Sequence, residues 1–184
     1  MPTNQFDLPT PLYSERLSIR KVEETDIEDL LLVNGDERVT RFLPYETWLN
    51  QADGKAWLER MLGFMSEGNT LQFVIIEVAT ERVIGTCMLF RYDEGSRRAE
   101  IGYVMGHAHW RKGYSLEALT ALIKYAFSEL KLRRIEAEVE PDNVASNNLL
   151  LKLGFTCEGL LRERWSDYDT NIYGLLSHEW KPAD

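Results

Sequence analysis

Two cysteines, Cys87 and Cys157, are all that this chain of 184 residues carries. That is too few, and too unpatterned, for a disulfide framework or a cysteine-built zinc site. Cys87 sits in an apolar run and reads as a small buried hydrophobe. No apolar run approaches the roughly 20 residues needed to cross a bilayer. Met1–Pro11 is polar and proline-punctuated, without the apolar core of a secretory signal, so the expected compartment is the cytoplasm and no membrane partner is expected. Positive charge is also scarce: 21 Lys and Arg against 30 Asp and Glu leave a net charge of −9. Nucleic acid is therefore not expected as a direct partner, because neutralising phosphates takes a basic face. The same balance attracts a cationic substrate such as an amine. Repeats and low-complexity segments are missing as well. Hydrophobic content of 44% and charged content of 28% fit a single globular domain with a sizeable core.

Along the chain, residues 1–12 read as a loose arm and 13–184 as one domain. Arg16–Arg20 alternates charged and apolar side chains, as a strand with one buried face does. Thr25 or Asp26 can cap a helix carrying Ile27, Leu30, Leu31 and Val33, and Gly35 ends it. A further helix is expected over 50–65. Residues 70–79 and 82–92 form a hairpin turning at Thr80-Glu81, with Gly85 marking a bulge or close approach. Further strands are expected over 98–105 and 132–140, a short helix over 145–153, and a terminal hairpin around 166–170. The order of about seven strands and the intervening helices implies an α/β (α+β) domain. Its sheet is mixed, mostly antiparallel and flanked by helices.

The stretch that organises the chain is Ala99–Ala121. It reads as a strand, a loop Trp110-Arg111-Lys112-Gly113-Tyr114-Ser115, and a helix with Leu116, Leu119, Leu122 and Ile123 at helical spacing. A helix N-terminus offers free N–H groups and a positive dipole end. Arg111 and Lys112 add full charge there, and Gly113 permits close backbone approach. G-x-G-x-x-G and P-loop patterns are both missing. Two readings stand at this point: a pyrophosphate cradle, or an ordinary strand–loop–helix with two solvated cations.

The order E-I-G-Y (100–103), W-R-K-G-Y-S-x-E-A (110–118) and N-x-x-S-N-N-x-x-x-K-L-G-F (143–155) resembles the GCN5-related N-acetyltransferase (GNAT) superfamily. Within it the chain is similar to the RimJ/RimL branch of ribosomal-protein N-acetyltransferases, as are the E-R-L-x-I-R opening and the closing segment Tyr173–Trp180. The resemblance implies a sheet that splays open at the cofactor site. There acetyl-coenzyme A lies against backbone groups of Tyr103, Val104 and Met105, and its pyrophosphate on the N–H groups of Arg111, Lys112, Gly113, Tyr114 and Ser115. Trp110 stands where the signature usually has Gln or Arg. Asn143 is expected on the pantetheine amide and Asn147 on the cofactor backbone.

The implied reaction is direct acetyl transfer to an amine, with the thioester carbonyl polarised by the N–H of Val104 or Met105. Glu100 is the candidate base, with Gly102 leaving room for the acceptor; the alternative is a structural carboxylate paired with Arg97 or Arg98. Ser146 is the candidate acid near the sulfur, its alternative a helix N-cap, and Tyr103 is a second proton donor. The resemblance also implies another base: some RimL-type enzymes carry a glutamate in that role where Trp165 stands here, and strand alternation puts Glu163 on the same face as Trp165, within reach of the site. Trp48, Trp57, Phe42 and Tyr45 are either acceptor contacts or core aromatics. His107 and His109 lack a third ligand, so no metal is expected. The resemblance implies as acceptor a protein N-terminal amine, such as that of a ribosomal protein, with a small amine as the alternative. An acyl-coenzyme A sensor without turnover is the rival, and the protein is expected as monomer or homodimer.

Overall fold

Leu17 and Ile19 alternate with Ser18 and Arg20, and that period of two buries one face of a strand, Leu17–Lys21. In the computed structural model, which describes residues 6–181, this strand is β2 of one eight-stranded sheet. The others are β1 (Leu12–Tyr13), β3 (Leu71–Glu77), β4 (Arg82–Asp93), β5 (Arg98–Met105), β6 (Arg134–Val139), β7 (Thr156–Trp165) and β8 (Tyr168–Leu176), in the order β1-β2-β3-β4-β5-β6-β8-β7. Only β5 and β6 pair parallel. The mixed, mostly antiparallel sheet is as expected. The additional strand is β1, at the end of the stretch read as a loose arm. That stretch is tied down: Phe6 and Leu8 are buried in the main core, and the Tyr125 hydroxyl donates to the Asp7 carbonyl. Its residues 1–5 lie outside the described chain.

Among the described residues five α-helices flank the sheet: α1 (Ile27–Asn34), α2 (Glu37–Thr40), α3 (Gln51–Ser66), α4 (Tyr114–Ser128) and α5 (Val144–Lys152). The Ala118, Leu119, Leu122, Ile123 and Ala126 stripe of α4 packs with Phe73, Ile75, Leu89, Ile101 and Ile135 on one face. On the other, α1 and α3 close over Val74 and Val83 with Ile27, Leu30, Trp48, Trp57 and Leu58. Trp48 and Trp57 are thus core aromatics. A Cβ at Gly54 of α3 comes within 2.9 Å of the Trp48 ring, so glycine is what lets that indole seat. Asn50 and Asp53 form a capping box that starts α3.

The feature that matters for function is in mid-sheet. Parallel pairing of β5 with β6 covers Arg98↔Arg134, Ala99↔Ile135 and Glu100↔Glu136. Beyond it β5 continues to Met105 beside β4, while β6 continues to Val139 beside β8. The sheet splays there, as the resemblance implied, and Ile101–Met105 faces Ala137–Val139 across a gap. Among the described residues no helix is long and apolar enough to cross a membrane.

Leu119 is fully buried in the α4 stripe, whereas Leu62 of α3 is 50% exposed. Leu119→Ala is expected to cost about 2–5 kcal/mol in urea denaturation, and Leu62→Ala no more than about 0.5 kcal/mol.

Candidate active site

The loop after β5 is built by local contacts. The Trp110 indole N–H donates to the Met105 carbonyl at 2.7 Å, folding the loop back on its strand. Arg111 and Gly113 take left-handed backbone, φ 60° and 81°, and Gly113 is the N-cap of α4 without a side-chain cap. The first N–H groups of α4 are therefore claimed by no capping side chain, the arrangement that suits an anion. Arg111 and Lys112 are exposed beside them, and among the described residues neither cation pairs with a carboxylate. Arg16, which the sequence reading left unassigned, braces the loop from behind. It donates to the Lys112 carbonyl at 3.0 Å and to Glu117 at 2.7 Å, and lies 4.3 Å over the Tyr114 ring. Burial raises the Glu117 pKa, but hydrogen bonds from Ser14 and Arg16 outweigh it and hold the carboxylate below its usual range. The Tyr114 hydroxyl donates to Glu77, so that side chain serves the scaffold and only its N–H is left for a ligand.

The gap has two unlike walls. On the α4–α5 side, the Tyr103 and Ser146 hydroxyls lie 2.5 Å apart. Burial pushes the Tyr103 phenol up to about 12, so it keeps its proton at neutral pH. Ser146 is not the cap of α5; Asn143 is, its Oδ1 accepting from the Ser146 N–H at 3.2 Å. On the α1–α3 side strand alternation places Glu100, Glu136 and Glu138 together. Glu100 is buried and receives Arg91 at 2.8 Å, which makes Arg91, not Arg97 or Arg98, its partner. Arg98 bonds Glu136 instead. Burial raises the Glu100 pKa above the usual glutamate value, and Arg91 pulls it part of the way back.

Several expectations change. Val104 points to β4: its carbonyl would lie 2.4 Å from a Cβ on Gly85, and the Gly106 N–H, two residues on, donates to Ile84 at 2.8 Å. Residues 104 and 106 thus bond β4, and Tyr103 and Met105 direct their backbone into the gap. The Met105 carbonyl is already held by Trp110, which leaves its N–H. Asn147 is fully engaged: its amide donates to the Glu140 and Asn143 carbonyls at 3.0 and 2.8 Å, and its oxygen accepts from Tyr173 and Asn171 at 2.6 and 2.9 Å. It fastens the β6–α5 turn to β8 and has no group left for a cofactor. The space over Gly102 is filled by Met88, 3.1 Å from a built Cβ. Glu163 takes φ 48° inside a bulge between Leu161 and Trp165, which breaks the alternation that put it on the site face. Trp165 instead donates its indole N–H to Glu138 at 2.7 Å. His107 and His109 flank the loop, and among the described residues no three His, Cys, Asp or Glu side chains gather as for a metal ion.

A sheet wedged open at a parallel pair, next to an uncapped helix start flanked by two free cations, is the architecture of an acyl-coenzyme A-dependent acyltransferase. Comparison with known proteins agrees. The acetyltransferase (GNAT) domain model matches residues 16–156, and the chain belongs to this family of acetyl-coenzyme A-dependent N-acetyltransferases. It is 38% identical over 173 residues to an uncharacterized N-acetyltransferase, p20, of Bacillus licheniformis, spanning 92% of this chain and 97% of that one. It is 29% identical to the [ribosomal protein uS5]-alanine N-acetyltransferase of Escherichia coli, over 94% and 93% of the two chains. A GNAT-family acetyltransferase structure from Bacillus anthracis superposes with a TM-score of 0.82 at 28% identity, covering 92% of this chain and all of that one. The resemblance read from the sequence, including its ribosomal-protein acetyltransferase relatives, is borne out.

The α4 cradle should respond to charge and backbone separately. Arg111→Ala with Lys112→Ala is expected to weaken coenzyme A binding at least tenfold by titration calorimetry, since each charge-assisted hydrogen bond contributes about 1.5–3 kcal/mol, and to flatten its salt dependence. Gly113→Val, strained at φ 81°, should weaken binding without changing that salt dependence.

Proposed function

We propose that this acetyltransferase acts on a primary amine, foremost the N-terminal amine of a protein or peptide, by direct transfer in a ternary complex at the β5–β6 gap. The observation that carries the reading is the placement of two proton-handling groups on opposite faces of one opening. Glu100 stands on the α1–α3 side and the Tyr103–Ser146 pair on the α4–α5 side.

Acetyl-coenzyme A supplies an activated thioester, and the residues around the gap fit it. The N–H groups of Gly113, Tyr114 and Ser115, with Arg111 and Lys112, hold the pyrophosphate. The backbone of Tyr103 and the Met105 N–H face the pantetheine arm, and Asn143 lies at its edge. An acceptor ammonium must lose a proton before its nitrogen can attack. Glu100 takes that proton, directly or through water. The Met105 N–H donates to the carbonyl oxygen as charge develops on it. As the nitrogen–carbon bond formed and the carbon–sulfur bond broke, the Tyr103–Ser146 pair would give a proton to the departing sulfur, and the second proton of the attacking nitrogen, lost as the amide forms, would pass through water to restore that pair.

The similarity to an enzyme of ribosomal-protein alanine N-termini, over nearly both whole chains, supports a protein N-terminus as acceptor in the cytoplasm. The Glu100 carboxylate beside the gap also suits a small cationic amine, which makes that the second reading.

Thiol release from acetyl-coenzyme A against N-terminal peptides beginning Ser, Ala or Met, with spermidine and an aminoglycoside alongside, tests the acceptor. Turnover concentrated on one peptide class supports the proposal; turnover on small amines alone replaces it with the second reading. Tight cofactor binding with no turnover on any amine leaves a sensor. Glu100→Gln is expected to lower kcat/KM by about 10²–10⁴-fold and to remove the acidic limb of the pH–rate profile. In the unmodified protein the rate falls as pH drops through the Glu100 pKa. Burial raises that value, so the fall begins at higher pH than an exposed glutamate gives.

A further inference from the structure

β4 departs from regular pairing just before it ends. Its register with β5 shifts between Phe90 and Asp93, and Arg91 takes φ 51° in the irregularity. An arginine in left-handed backbone is uncommon, and the surroundings show what the kink accomplishes. Arg91 leaves the alternation of its strand and lays its guanidinium across the α1–α3 side of the gap. One nitrogen, Nη1, is 2.8 Å from Glu100 and 3.7 Å from Glu138 of β6. Its Cζ lies 5.6 Å from the centre of the Phe90 ring and 5.5 Å from that of Trp165. The far side of the clasp comes from the last residues of β7, where Trp165 and Arg164 donate to Glu138 at 2.7 and 3.2 Å.

We infer that Arg91 is a positioning residue for acetyl transfer: clasped by Glu138 and the Phe90 and Trp165 rings, its guanidinium fixes the Glu100 carboxylate at the mouth of the gap. This rests on the reading of Glu100 as the base. Three glutamates share this wall. Glu136 is neutralised by Arg98 and Arg134, each at 2.7 Å, and Arg134 is further paired to Glu158. Glu138 is shared between Arg164 and Arg91. Among the described residues Glu100 pairs with Arg91 alone, from β4, and is repelled by Glu136 and Glu138 from β6. Without Arg91 a buried carboxylate facing two others holds a proton to higher pH, and less of it is in the ionised form that can accept one from the acceptor. A planar guanidinium also suits the place better than an ammonium, since it can lie between two rings while spanning two carboxylates.

The test follows the Glu100 carboxyl by ¹³C NMR titration of the full chain, its signal assigned by its loss in Glu100→Gln. Arg91→Met is expected to move the Glu100 midpoint up by about one pH unit or more, with Arg91→Lys lying between it and the unmodified protein. The acidic limb of peptide acetylation should move in parallel, while coenzyme A affinity stays as it was, because Arg91 is on the opposite face from the cofactor loop. A Glu100 midpoint that stays in place in both Arg91 variants overturns the inference and leaves the base reading intact. Full acetylation by Glu100→Gln overturns the base reading itself and the inference with it, and is a separate observation.

Discussion

Everything in the site depends on where two parallel strands stop pairing. After Glu100↔Glu136, β5 stays with β4 and β6 stays with β8, so the divergence is enforced from both sides by antiparallel ladders. Strand groups turned into such an opening need hydrogen-bond partners, and an extended amide-bearing chain such as pantetheine supplies them in the way a further strand does. The same divergence decides chemistry. Because successive side chains alternate, the strand that lends its backbone to the gap presents Tyr103 to one face and Glu100 to the other. The proposed proton acceptor and proton donor are thereby kept apart by the thickness of a sheet.

Electrostatics follow the same division. In a chain of net charge −9, Arg111 and Lys112 concentrate positive charge at one helix start, where the dipole adds to it, and this is where the proposal seats the anionic cofactor. Arg16 contributes there by fixing shape: its charge is largely answered by Glu117, and what remains is its bond to the Lys112 carbonyl. On the opposite face arginines answer the glutamates, Arg91 at Glu100, Arg98 and Arg134 at Glu136, and Arg91 with Arg164 at Glu138, so the wall does not repel itself.

Most of the fold was legible from period and punctuation. The β3–β4 hairpin, the α4 stripe and the W-R-K-G-Y-S loop stood in the sequence because local pattern determines each of them. What sequence did not show depends on long-range geometry. The family resemblance put Val104 against the cofactor, but only the register with β4 reveals that its peptide faces that strand. Asn147 carries a residue type suited to cofactor contact, yet the packing of β8 uses up its every hydrogen bond. Glu163 was placed by a strand period that a bulge interrupts. Arg91 and Trp165 come together from strands that are far apart in the chain, and no local pattern marks either. Phe6 and Leu8 were two isolated hydrophobes in a polar, proline-rich stretch, below any periodic signal, and they are buried all the same.

The most direct test of the gap as the cofactor site is a ¹H–¹⁵N correlation spectrum of the full chain titrated with coenzyme A. The expected result is large shifts at the Tyr103 and Met105 amides and at Gly113, Tyr114 and Ser115, with Val104 and Gly106 moving little because their N–H groups bond β4. Shifts confined to the α4 N-terminus, or equal shifts at Val104 and Met105, would contradict the placement of the pantetheine arm along β5 and with it the two-walled site.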